Sequence, residues 1–193
     1  MTISVDAPHA AALSGRSLKS SLLIAARPRV VSPPTSSLLL QRLAQRLTER
    51  GETLACVEIG SGGHVSRSLT SEPGSSALFA GSLIFPADAA LWPQAITGDG
   101  SWRAAPPGSH TRLAGLAGVA QVAFGTDWGL AVECQPANSQ TSLSIALLFP
   151  DGNAVSDTVF LAEDAAQPGE ERLVQCVLRL LAQHLEEHTE EPP

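Results

Sequence analysis

The sequence predicts an α/β protein of three layers, with a mixed, mostly parallel sheet and helices on both faces. Three observations carry this. Strong helix-period leucine patterns open and close the main part of the chain, and short apolar runs of strand length alternate with helical segments between them. A hairpin signal, Asp151-Gly152-Asn153, then joins two late strands, so the sheet cannot be purely parallel.

The elements follow in order. A helix is expected from about Ser36 to Arg50, because Leu39, Leu43 and Leu47 recur every four residues with Leu40 beside them. Gly51 suits its C-terminal turn. Thr53 to Ile59 reads as a buried strand, and Gly60-Ser61-Gly62-Gly63 as a glycine-rich loop leading into a short helix from His64 to about Leu69. Pro73-Gly74-Ser75-Ser76 makes a turn before a second strand, Ala77 to Phe85. Pro86 ends that strand and suits the first turn of a helix reaching about Trp92. The glycines and prolines between Thr97 and Ser109 predict a loop, with Trp102 in it a candidate interface anchor. A helix from about His110 to Phe124 is weakened by Gly115 and Gly118. Strands are expected at Gly129 to Cys134, Thr141 to Phe149 and Ala154 to Leu161. The last helix, Pro168 to about His188, buries Leu173, Val177, Leu180, Leu181 and Leu185 and sets Glu170 and Glu171 at the positive end of its dipole.

Composition excludes several functions. A net charge of -7 without a basic stripe argues against nucleic acid as a partner. No run approaches the roughly 18 apolar residues of a membrane helix, and no secretory signal is evident, so a cytoplasmic location is expected. The chain has no tyrosine, and its one lysine is Lys19. Cys56, Cys134 and Cys176 are far apart and lack metal-ligand spacing, so no metal or other cofactor is expected. They read as buried free thiols. His184 and His188 lie four apart on the last helix, but in an acidic terminal turn they read as solvated. Residues 1–34, rich in Ala, Ser and Pro, read as an N-terminal arm, residues 35–189 as the folded domain and 190–193 as a frayed acidic tail.

Specific residues then carry a resemblance. Thr53-Leu54-Ala55-Cys56-Val57-Glu58, with Gly62-Gly63, resembles the segment T-L-A-x-A-E-S-C-T-G-G of the CinA C-terminal (nicotinamide mononucleotide deamidase) family. Leu69-Thr70 and Pro73 to Gly81 resemble its L-T-x-x-P-G-S-S-x-x-F-x-G-G, and Gly129-Leu130-Ala131-Val132 its later G-L-A-V strand. The likeness spans about residues 36–187, and the arm has no counterpart. It implies a fold whose family hydrolyses the amide of nicotinamide mononucleotide, using the serine of E-S-C-T-G-G and the Tyr and Lys of a Y-S-N-x-x-K segment.

Carried onto this chain, those positions hold other residues. The nucleophile position is Ile59, the next two are Gly60 and Ser61, the Tyr position is Pro86 and the Lys position Leu91. The family's T-G-I-A-G-P loop corresponds to Glu133-Cys134-Gln135-Pro136, without its glycines. The expectation is a non-catalytic binding or assembly protein on a deamidase scaffold, its partner or a second copy engaging residues 1–34. The alternative is an amidohydrolase acting on nicotinamide mononucleotide or a related amide in pyridine nucleotide salvage. Its candidates would be Ser61 as nucleophile and His64 as base. A bound nucleotide or anion would draw on Gly60, Ser61, Gly62, Gly63, Ser75 and Ser76, whose loops offer backbone N–H groups.

Overall fold

The computed structural model describes residues 36–71, 78–88, 92, 100–137, 140–162 and 169–187. The arm 1–34, Ser75 and Ser76, Leu91, His188 and the tail lie outside the described residues.

Helix α1 (Ser36–Arg50) turns its buried face, Leu39, Leu40, Leu43 and Leu47, to the core, as the four-residue leucine spacing predicts. Its end is closed by Gly51, with Gly51 N–H donating to Thr48 O and Glu52 N–H to Leu47 O. Strand β1 (Leu54–Ile59) is buried along its whole length, as a strand flanked on both edges and covered on both faces must be. Helix α2 (His64–Ser71) leads to β2 (Phe79–Phe85). Then come a short 3-10 turn (Ser101–Ala104), α3 (His110–Phe124), β3 (Trp128–Ala137), β4 (Gln140–Leu148), β5 (Ala154–Ala162) and α4 (Gly169–Glu187).

The sheet runs in the order β2-β1-β3-β4-β5. β1 pairs in parallel with β2 and with β3, whereas β3–β4 and β4–β5 are antiparallel. The expectation of a mostly parallel sheet is therefore corrected to an even mixture. The cause is the pair of tight connections after β3 and β4, since parallel neighbours need a long crossover and these segments are too short for one. The second of them is the Asp151-Gly152-Asn153 turn, in which Asn153 N–H donates to Asp151 Oδ1 at 2.8 Å.

Strand alternation divides the core in two. On one face Leu54, Cys56, Leu130, Val132, Leu143 and Ile145 pack with α1, α2 and α4. On the other Ala55, Val57, Ile59, Ala131 and Ala146 pack with α3. The second face is built of small residues because α3 lies close: a Cβ at Gly129 would come 2.1 Å from Ala117 O. Two further corrections concern the α3 side. Pro86 to Asp88 are not helical. Trp102 is not a free loop residue but packs between Gly100 and Gly115, where an added Cβ would lie 2.2 Å from its ring in each case. Gly115, a mark against the helix in the sequence, is the space that admits this indole.

Candidate functional site

In open sheets of this kind ligands sit outside the carboxyl ends of the strands, where the strand order reverses. Here the chain leaves β1 toward β2 on one side and returns to β3 on the other, so the reversal falls between β1 and β3. Ile59 is in register with Phe85 of β2 and Glu133 of β3, and these three residues end the parallel pairing, beyond which β3 continues against β4 alone.

The glycine-rich loop starts there. Gly60, Gly62 and Gly63 all have left-handed φ, at 70°, 66° and 85°. At Gly60 the requirement is double, because a Cβ would also lie 2.6 Å from Cys134 O, a backbone atom of β3. The loop folds back over β1 so that Glu58, fully buried, points at the start of α2. Its Oε2 accepts from Val65 N–H at 3.2 Å and its Oε1 from Ser66 N–H at 2.7 Å, with the Ser66 hydroxyl also donating to Oε1. Ser61 Oγ donates to Glu58 Oε2 at 2.6 Å and is itself buried. The carboxylate of Glu58 thus caps the start of α2. A charged acceptor satisfies two orphan N–H groups and the helix dipole together.

Ser61 and His64 have different partners. His64 Nε2 lies 3.2 Å from Glu170 Oε1 of α4, on the side of the sheet that carries α1, α2 and α4. Ile59 turns to the opposite face, into the core with Phe85, Trp92 and Leu113, at 1% exposure. Of the proposed ligand-binding residues, the structure brings Gly60, Ser61, Gly62 and Gly63 together in one loop.

A buried charge pair closes the crevice beside this loop. Glu133 Oε1 accepts from Arg112 Nε at 3.2 Å, and its Oε2 accepts from Gly108 N–H at 2.7 Å. The Arg112 guanidinium lies 4.7 Å over the Trp92 ring, which stacks on Phe85 and donates its indole N–H to Pro86 O at 2.8 Å. Sequence reasoning did not single out this pair. Its one legible signal was Glu133 itself, an acid within an apolar strand, since buried carboxylates are almost always paired. The segment Glu133 to Pro136 is also strand rather than loop, paired residue by residue with Ser144 to Thr141.

Neither buried thiol near the loop is poised to react. Burial, and then the Glu58 carboxylate, push Cys56 well above the usual thiol range. Burial, followed by Glu58 and Glu133, pushes Cys134 up to about 12. The thiolate is the nucleophilic form, so both stay inert near neutral pH. Among the described residues no cluster of three or more His, Cys, Asp or Glu side chains could hold a metal, and no helix is long and apolar enough to cross a membrane.

Fold and site together define a class: an α/β domain with a two-parallel, two-antiparallel sheet and a glycine-rich loop at its switch point. Residues 37–90 match the family model of the CinA C-terminal domain. The competence or damage-inducible protein from Enterobacter asburiae is similar in fold, with a TM-score of 0.67 at 21% identity over 79% of this chain and 99% of that one. A CinA superfamily protein from Enterobacter cloacae matches at TM-score 0.67 and 19% identity, over 91% of this chain and 99% of that one. Another from Klebsiella pneumoniae matches at TM-score 0.67 and 16% identity, over 80% and 99%. No curated protein matches the sequence.

Proposed function

We propose that this chain is a non-catalytic binding or assembly protein built on the CinA scaffold, with residues 1–34 contacting the partner or a second copy. The observation that carries the reading is Ile59. At the position where the resemblance puts the nucleophile, an apolar side chain is sealed in the α3-side core. Around it the crevice is occupied by the chain's own groups: the Arg112–Glu133 pair, Trp92, and a Ser61 hydroxyl committed to Glu58. A hydrolase needs an activated hydroxyl with a base and an oxyanion site facing open space.

The test is incubation with nicotinamide mononucleotide and measurement of released ammonia, alongside sizing of the full chain and of residues 35–193. We expect no ammonia above background, a folded shorter chain, and loss of association when the arm is removed. The 2.6 Å contact of Ser61 with Glu58 favours the second reading, a hydrolase with Glu58 as the base. Ammonia release that vanishes in Ser61→Ala would establish it and overturn the first. Equal assembly of long and short chains would remove the arm's role.

A further inference from the structure

The side of the sheet away from α3 carries a second concave site, built where the first turns of α1, α2 and α4 meet. It is a pocket of about 250 Å³, lined by Ser36 of α1, His64 and Arg67 of α2, and Glu170, Glu171 and Val174 of α4. His64 and Glu170 face each other across one wall at 3.2 Å. The other two charges do not meet. Arg67 and Glu171 have opposite signs and line the same pocket from different helices, yet neither forms an ion pair or a side-chain hydrogen bond among the described residues. The Ser36 hydroxyl, on the third helix, is buried and has no hydrogen-bond partner. An unsatisfied buried hydroxyl costs stability, so its presence calls for a partner.

We propose that this pocket binds a small zwitterion of the α-amino acid class, its carboxylate on Arg67 and its ammonium on Glu171. Such a ligand carries both charges within one small molecule, which is what two unpaired, opposite wall charges select. A simple anion would meet the repulsion of Glu170 and Glu171, and a simple cation that of Arg67. Guanidinium and carboxylate pair in two parallel hydrogen bonds, which orients the bound molecule. Val174 offers an apolar surface to its side chain. His64 of the pocket wall directly follows the Gly60–Gly63 loop, but the two charges that would hold the ligand, Arg67 and Glu171, belong neither to that loop nor to the Arg112–Glu133 pair, so the proposal does not depend on whether the chain is a hydrolase.

The experiment titrates the full chain with the common L-amino acids, followed by heat and by the His64 imidazole resonances. N-acetyl-L-alanine, L-alaninamide and acetate serve as single-charge controls. We expect at least one amino acid to bind with a Kd below about 10 mM and to shift the His64 signals, with the controls failing to do so. Arg67→Gln and Glu171→Gln, both on exposed side chains, should each weaken binding about tenfold. Absence of binding by every amino acid up to about 10 mM overturns the proposal. So does acetate or L-alaninamide binding as well as L-alanine, or binding that survives both charge-removing substitutions.

Discussion

Arg112 and Glu133 are two of the three buried charges among the described residues, and each is tolerable only because of the other. Both side chains are at least 95% buried, and Glu133 takes a second hydrogen bond from Gly108 N–H. Removing one partner strands a buried charge, which typically costs about 3–5 kcal/mol, whereas replacing both by apolar groups is often close to neutral. Arg112→Leu should therefore lower stability by roughly that amount, and Arg112→Leu with Glu133→Leu should regain most of the loss. Urea unfolding of the two single variants and the double variant checks this. If the losses of the single variants simply add in the double, the pair is not an interacting unit. Glu58 invites the same logic at the start of α2, where its carboxylate accepts from Val65, Ser66 and Ser61. Glu58→Ala leaves those donors buried without an acceptor and should cost about 2–4 kcal/mol, read from the same measurement. A cost within 0.5 kcal/mol of zero, the range of ordinary surface changes, would show that water replaces the carboxylate.

At the scale of the element, α3 shows local propensity yielding to packing. Glycine inside a helix normally costs about 1 kcal/mol against alanine, so Gly115→Ala should by propensity alone stabilise α3. The Trp102 ring reverses the sign, because the new Cβ would fall 2.2 Å from Trp102 Cγ and the indole is held on its other side by Gly100. Gly115→Ala should lower the melting temperature, and Gly115→Ala combined with Trp102→Ala should lose less than the sum of the two changes. Thermal melts of the four forms decide it, and a raised melting temperature for Gly115→Ala would show that Trp102 moves aside freely. The same helix carries ordinary end signals: Ser109 Oγ accepts from Arg112 N–H, and Gly125 closes the C-terminus at φ 64°. Its ends could accordingly be placed from sequence, while the reason for its interior glycine could not.

The whole molecule has an unusual alkaline chemistry because it contains no tyrosine and a single lysine. Between about pH 9 and pH 12 the cysteines are then its main titrating side chains. In the folded state Cys56, Cys134 and Cys176 are all raised above the thiol value of 9.0, with burial the largest cause at each. The unfolded chain ionises its thiols first and so binds fewer protons than the folded one in that interval. Stability is thus complete below about pH 9 and is lost as pH rises from there toward about 12, the raised Cys134 value. Urea midpoints between about pH 8 and pH 11 should fall with pH and should fall less steeply in a Cys56→Ala, Cys134→Ala variant. Equal slopes would assign the alkaline loss to other groups.

What the sequence determined by itself is whatever one segment encodes through its own periodicity and end residues. Leucine spacing placed α1 and α4, apolar runs placed the strands, and Asp151-Gly152-Asn153 placed the hairpin, because helix and strand periods and turn conformations are local properties. The short motifs around Glu58 and Gly62-Gly63 carried the family likeness for the same reason. Only the tertiary structure decided how those segments use one another. It made the sheet half antiparallel, carried Ser61 to Glu58 and His64 to Glu170, and brought Arg112 to Glu133 across 21 positions of sequence. It also set Trp102 against Gly115. Each of these depends on which faces and strand ends the topology brings together. Partners in a low-dielectric interior are chosen by proximity in space, and no spacing along the chain encodes that.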